Sequence, residues 1–408
     1  MVVQRRAAVG AALVLVLVGA ACGGTSSAPV RHVSPTGSTS PRPAPTTTSA
    51  PTTTLPSAVP TTVATPVVPS PGWSRPLTAL PPVGGFTSVS CISNVFCLSA
   101  GGGSNQADAA DSTGPGVVDS WDGATWATPS TYFAGGAGAA PPPWMPSISC
   151  TDGPLCAVVD GSGHTSLGDG TTWSPPAALA PTAVAAADPS DPGPGHTGAR
   201  SAAVACPTPQ FCAYVDNTGH VATLHGTAWS APQAFTTRVG GATVELFQLG
   251  RVGVSCATDT SCTAMVAGTV LDWDGTTWTA SPAPWGPGDA DGASAVSCPT
   301  PGTCVAVHGT SVSVRTPGSG WSAPRVVDAG GSLDSVSCPT TSTCVAADTA
   351  GDVVRLVTGS WSTPDKVVPT PVSYPGDGAT VSCPTEQFCM VLTGDGDYAT
   401  YVGTTTAP

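Results

Sequence analysis

The sequence predicts an all-β fold: a seven-bladed β-propeller of four-stranded blades, one Cys-x5-Cys hairpin per blade. Three observations predict it. Fourteen of the fifteen cysteines form pairs of one spacing: Cys91 with Cys97, Cys150 with Cys156, Cys206 with Cys212, Cys256 with Cys262, Cys298 with Cys304, Cys338 with Cys344 and Cys383 with Cys389. A Trp-(Ser/Ala/Thr)-x-(Pro/Ser) element also occurs seven times, at Trp73, Trp126, Trp173, Trp229, Trp278, Trp321 and Trp361. The two alternate out of phase, because a Trp element precedes the first Cys pair and none follows the last. A ring explains the offset: the last blade, 379 to 403, lacks a fourth strand, and the Trp73 strand supplies it. Closure of this kind removes the open edges that invite aggregation.

Each repeat reads as four short strands. The first ends at Val-Ser-Cys or a close variant, as in Val89-Ser90-Cys91 and Val381-Ser382-Cys383. Five loop residues follow, and the second Cys opens an apolar strand such as Cys212-Ala-Tyr-Val-Asp216. That strand stops at a turn signal like Asp216-Asn-Thr-Gly219. The third strand leads to a tight turn, as at Asp122-Gly123, Asp169-Gly170 and Asp274-Gly275. The Trp element is the fourth strand. Four-stranded units at 40- to 59-residue spacing are the signature of a propeller.

Composition supports the all-β reading. The chain has one lysine, Lys366, and two glutamates, Glu245 and Glu386, but is rich in Gly, Pro, Thr and Val. Without Arg5 and Arg6 it keeps 10 basic residues against 25 acidic ones, a net charge of −15. That excludes nucleic acid as a partner, since phosphates need basic residues.

Residues 1–21 read as an export signal: Arg5 and Arg6, an apolar run from Ala11 to Val18, then Gly19-Ala20-Ala21. Cys22, followed by Gly23-Gly24, resembles the lipidated cysteine of bacterial lipoproteins, which gives the fifteenth cysteine a purpose. The resemblance implies a membrane link through lipid only, on the extracellular face; plain secretion is the alternative. Residues 22–71 form a Thr/Pro/Ser-rich tether with no hydrophobic periodicity, and residues 72–408 the propeller. A monomer is expected.

An exported chain meets oxidising conditions, so the Cys pairs are expected to be disulfides. Pairing within a repeat is the simpler reading, with bonds between adjacent blades as the alternative. Each closes a small ring contributing roughly 2 kcal/mol by loop entropy. Zinc is the competitor, but structural zinc favours closer Cys spacing. Asp289/Asp291 and Asp395/Asp397 lack a full calcium loop by spacing. No metal and no cofactor is expected. The recurrent tryptophans suit the wedge between neighbouring blades.

Function is read from what breaks the repeat. The first-to-second and third-to-fourth turns share one face and are uniformly short. The opposite face carries insertions at 101–116, 130–145, 180–201, 236–251 and 282–293. Long loops on a rigid scaffold carry recognition. Candidate ligand-binding residues there are Trp144, Trp285, Phe247, Tyr374, Arg200 and Arg251; each could equally cap a blade end.

The strings Asp122 to Trp126, Asp169 to Trp173 and Asp274 to Trp278 resemble a contracted Asp-box, the hairpin mark of sialidase-like propellers. The resemblance covers three of the seven repeats and implies scaffold. Sialidases add an arginine triad, a Tyr/Glu pair and an Asp, and the Arg-Ile-Pro signature is absent here. The expected function is therefore a non-catalytic, surface-anchored binder of glycan or protein. The alternatives are a divergent propeller glycosidase, with two aspartates as its carboxylates, and a structural envelope protein without soluble ligand.

Overall fold

The structure is a computed structural model that describes residues 72–78, 85–102, 115–133, 145–153, 155–161, 163–179, 201–239, 242–245, 251–266, 268–286, 294–370 and 378–403. The export signal, Cys22 and the tether lie outside the described residues. Seven antiparallel sheets begin at Phe86, Ser147, Ala202, Gly253, Ser294, Leu333 and Thr380, and are called blades one to seven in that order. Their first strands contact one another in sequence order, and blade seven contacts blade one, so the ring closes. Blade seven takes its outer strand from the N-terminal side: Gly72 pairs with Val402 and Trp73 with Tyr401.

The two repeated elements are the ends of one cross-strand row. In blade one, Cys91 pairs with Cys97, Cys97 with Trp121, and Trp121 with Trp126. Blade four repeats it as Cys256, Cys262, Trp273 and Trp278. Blade seven ends its row with Cys389, Tyr401 and Trp73.

Every cysteine pair of the repeat is a disulfide within its own blade, which removes bonds between adjacent blades as an alternative. Blades one to three hold Cys91 to Cys97, Cys150 to Cys156 and Cys206 to Cys212. Blades four to seven hold Cys256 to Cys262, Cys298 to Cys304, Cys338 to Cys344 and Cys383 to Cys389. Their Cα separations of 3.9 to 4.1 Å are closer than the ~5.5 Å expected of a disulfide. The cause is register, since the two cysteines directly oppose each other across the strands, as Cys150 does Cys156. The second cysteine of each pair lies deeper than the first: Cys156, Cys304 and Cys344 are all buried in the seam clusters. Each row packs against the preceding blade: Trp229 joins Ala157 and Leu167, and Trp361 joins Val305 and Val314.

The tail of the Trp element has a backbone reason. Proline donates no hydrogen bond, so the outer strand breaks there. In blade three it splits into Ala228–Trp229 and Gln233–Ala234, either side of Pro232. Across the break Ser230 replaces the ladder: its amide donates to Thr223 O at 2.8 Å, and its Oγ accepts from Thr223 N at 3.0 Å. Ser74, Ser174, Ser322 and Ser362 accept in the same way. Blade four carries Trp-Thr-Ala-Ser, has no proline there, and its outer strand runs unbroken over Trp278–Pro282.

A second serine set stitches the blades together. The serine before the first Cys accepts from the Cys amide of the next blade. Ser90 accepts from Cys150 at 3.0 Å; Ser149, Ser255, Ser297, Ser337 and Ser382 accept from Cys206, Cys298, Cys338, Cys383 and Cys91 at 2.9 Å. The register explains it. The cysteines sit at non-hydrogen-bonded pairs, so the amide of the first Cys points away from its own sheet. Only blade three departs, with Ala205 at the serine position.

One polar residue sits badly in this packing. Asp119 is 1 % exposed, opposite Ser99 across the strands, and its Oδ1 has no hydrogen-bond partner. Its neighbours in the row face the seam with blade seven, among Phe86, Met390, Leu392 and Tyr398. Burial raises its pKa from 3.8 to about 7. A carboxyl whose folded pKa is raised loses stability as pH climbs from its unfolded value to its folded one. The expected loss between pH 4 and 7 is on the order of 4 kcal/mol. Urea titrations at several pH values check this. Asp119→Asn should flatten the dependence, and parallel curves for both proteins would refute it.

Candidate functional site

The first strands surround a central channel whose wall draws on all seven blades and encloses a cavity of about 180 Å³. Its mouth lies on the face of the long loops, where the first strands begin. The disulfide hairpins lie at the other face, against the third-to-fourth turns: Trp121 Nε1 donates to Asn94 O at 3.2 Å, and Gly226 N to Gln210 O at 2.8 Å. That face is scaffold. The Asp-box-like aspartates there cap their own turns, Asp122 accepting from Thr125 N and Asp169 from Thr172 N at 2.8 Å. Asp274 accepts from the Thr276 amide at 2.8 Å and its hydroxyl at 2.7 Å. The Thr125 and Thr172 amides and the Thr276 hydroxyl lead in holding these three carboxyls below the usual range.

Across the mouth lies Arg251, just ahead of the first strand of blade four. Its Nη1 donates to Thr87 O of blade one at 2.8 Å, and its Nε stands 3.1 Å from Asp334 Oδ2 of blade six. The side chains are 12 % and 2 % exposed. Burial pushes the Asp334 carboxyl up, against the pull of the Arg251 charge. Among the described residues, the charged groups lining the mouth are Arg251 and Asp334, which pair with each other, ringed by Thr87, Met145, Ser201 and Thr380. Met145 holds a positive φ of 39°, a conformation unusual for a side chain of its size.

The other buried carboxyls of the loop face are engaged in turns. Asp216 Oδ1 accepts from the Thr218 and His220 amides at 2.9 Å. Asp160 accepts from the His164 amide, and its Oδ2 lies 3.0 Å from His164 Nδ1. Burial disfavours the His164 charge, yet the bond to Asp160 and its charge outweigh this and raise the pKa. Asp348 Oδ1 accepts from Ala350 at 2.9 Å and Asp352 at 2.7 Å. Burial, helped by the nearby Asp328 charge, pushes Asp348 up to about 6. These pairs explain the repeated Asp-x-x-Gly turns without chemistry.

Of the six sequence-named candidates, the structure describes Trp285 and Arg251. Trp285 is half-buried, stacked on His308 with ring centres 4.8 Å apart, so one of its faces is covered. Trp144, Phe247, Tyr374 and Arg200 lie outside the described residues. Within the insertion at 236–251, the described strands Thr236–Val239 and Ala242–Glu245 pair antiparallel. Sequence reasoning missed Asp334 as the partner of Arg251. It also missed the stitching serines, although Ser before Cys repeats at six of the seven blades.

Fold and mouth together define a disulfide-pinned seven-bladed propeller. No family model matches the chain, and no curated protein matches it. Solved structures do. A YCF48 bound to a D1 peptide aligns with a TM-score of 0.52 at 14% identity, over 84% of this chain and 100% of its own. The WD40 propeller domain of Doa1 gives 0.52 at 9% identity, over 83% and 99%. An inactive virginiamycin B lyase from Staphylococcus aureus with quinupristin gives 0.52 at 6% identity, over 81% and 100%. At these identities the likeness is one of fold.

Proposed function

We propose that this protein is a non-catalytic propeller that captures a protein segment or glycan on its long-loop face. A lipid on Cys22 would hold it at the outer side of the cell membrane, with residues 22–71 as the tether. One observation carries the reading: the blades are uniform on the disulfide face and varied on the other. At the mouth the one described carboxylate, Asp334, is tied to Arg251. Asp334 is committed to that ion pair rather than left for acid–base work, which favours binding over two-carboxylate hydrolysis at this position. A solved propeller of similar fold bound to a peptide supports a protein segment as ligand.

Peptide and glycan arrays probed with the full chain test it, beside a Trp144→Ala/Trp285→Ala variant. A specific hit weakened about tenfold or more in the variant is expected, the range of a lost aromatic anchor. Equal binding by both proteins would remove these tryptophans from the site, and no hit on either array would sink the reading. Anchoring is checked separately: Cys22→Ser should shift the protein from the membrane fraction into the medium.

A further inference from the structure

We propose that Asp328 and Asp348 form a binding site for a hard divalent cation, of the calcium and magnesium class, where the link out of blade five meets blade six. One turn, compared across three blades, makes the case. In blades two, three and six the fourth residue after the second Cys is an aspartate: Asp160, Asp216 and Asp348. Each accepts through Oδ1 from the amide four residues on, those of His164, His220 and Asp352 at 3.0, 2.9 and 2.7 Å. The turns are alike, but what meets the other oxygen is not. In blades two and three the histidine Nδ1 stands 3.0 Å from Asp160 Oδ2 and 3.4 Å from Asp216 Oδ2. The Tyr214 hydroxyl adds a bond to Asp216 Oδ2 at 3.1 Å. Blade six has Asp352 at the histidine position, and its carboxylate lies 3.6 Å from the Lys366 ammonium. Asp348 is 0 % exposed, and no donor meets its Oδ2.

A second carboxylate comes to that oxygen instead. Asp328 sits in the link between Arg325–Val326 and Leu333–Ser337, is 1 % exposed, and reaches hydrogen-bonding distance of Asp348. Its Oδ1 accepts from the Gly330 and Gly331 amides at 2.9 and 3.1 Å, while its Oδ2 also has no donor. Asp348 Oδ2 points at this loop, since a Cβ at Gly331 would collide with it. Two buried carboxyls therefore meet with an undonated oxygen on each. Buried charges are paired or coordinate metals. Lys366 does not serve, because its ammonium donates to Ala350 O and Thr370 Oγ1 and faces Asp352.

The chemistry of the pair selects the ion. Carboxylate oxygens are the ligands of hard cations. No group of three His, Cys, Asp or Glu side chains among the described residues could hold a metal. The ion therefore keeps main-chain oxygens and water for the rest of its shell, as such cations do. Ala329 and Gly330, which follow Asp328, are exposed, so the way in is one loop deep. The two ligands are 20 positions apart, which no calcium-loop spacing would show. An ion here would pin the link between blades five and six on the long-loop face. Capture by the loops does not require it, so either reading can fail alone.

The test strips the full chain with chelator and titrates it with calcium chloride, then magnesium chloride, by calorimetry. Sodium chloride at equal ionic strength is the control. Saturable binding is expected with a dissociation constant of about 10⁻⁴ to 10⁻³ M, the range of extracellular calcium modules. The bound ion should also raise the melting temperature. Asp348→Asn keeps an oxygen for the Ala350 and Asp352 amides and offers its NH₂ to Asp328. It should fold without added ion and lose affinity about tenfold or more, since ligand charge sets the strength of such sites. Asp352→His rebuilds the arrangement of blades two and three, so its ring should compete for Asp348 Oδ2 and weaken binding as well. Should Asp348→Asn fail to fold, Asp328→Asn and Asp352→His carry the test. No saturation of the wild type by either ion would overturn the proposal and leave the two carboxyls sharing a proton. Folded variants that bind as tightly as the wild type would put the ion elsewhere, and that too would overturn it.

Discussion

Deletion of residues 72–78 should abolish the single cooperative melting transition and leave the protein prone to self-association. The segment is the outer strand of blade seven. Beyond its ladder pairs, Ser74 N donates to Thr400 O at 2.7 Å, and Thr78 Oγ1 donates to Asp397 Oδ1 at 2.6 Å. Trp73 packs on Tyr401 with ring centres 5.5 Å apart, against the cluster shared by blades six and seven. Removing the strand exposes the edge of Asp397–Val402 and strips that cluster of its cover. Trp73→Ala alone should cost about 3 kcal/mol, the low end for a large aromatic because the ring is only half-buried. Calorimetry and light scattering check both variants. A deletion protein that melts at the wild-type temperature would refute closure through this strand.

Arg251→Met should destabilise the fold by about 3 to 5 kcal/mol at pH 8, the penalty for leaving one partner of a buried ion pair alone. Asp334 is 2 % exposed and would lose its counter-charge. Its folded pKa, already raised by burial, would rise further, so the loss should shrink as pH falls and Asp334 takes up a proton. Arg251→Met/Asp334→Leu should recover most of the stability. Urea denaturation at pH 5 and pH 8 tests both statements. Equal losses at the two pH values would mean that Arg251 acts through packing alone.

Blade number, disulfide pairing and the closing strand were legible because each depends on local spacing repeated seven times. A five-residue loop between antiparallel strands sets two cysteines face to face whatever surrounds it. Trp-Ser-x-Pro carries its own backbone logic, with proline breaking the strand and serine bridging the break. The site was less legible. Arg251 could be picked out as a cation in a variable link, but nothing local ties it to Asp334, 83 positions away in sequence. Trp285 stood out for its flanking prolines, yet its stacking on His308 depends on where two blades meet. Asp119 shows the same limit: its strand reads as an ordinary Val-Val-Asp-Ser-Trp, and only the seam with blade seven makes its carboxyl costly.

The sequence by itself determined the ring, since its repeats are short, local and out of phase by one strand. Tertiary structure decided what faces the axis. Seven first strands converge there, and the amides of one blade meet the side chains of the blade before it. A serine and an alanine at the same register look interchangeable along the chain. Across the seam the serine accepts an amide of the next blade and the alanine cannot, because hydrogen bonds between blades join residues that no sequence spacing relates.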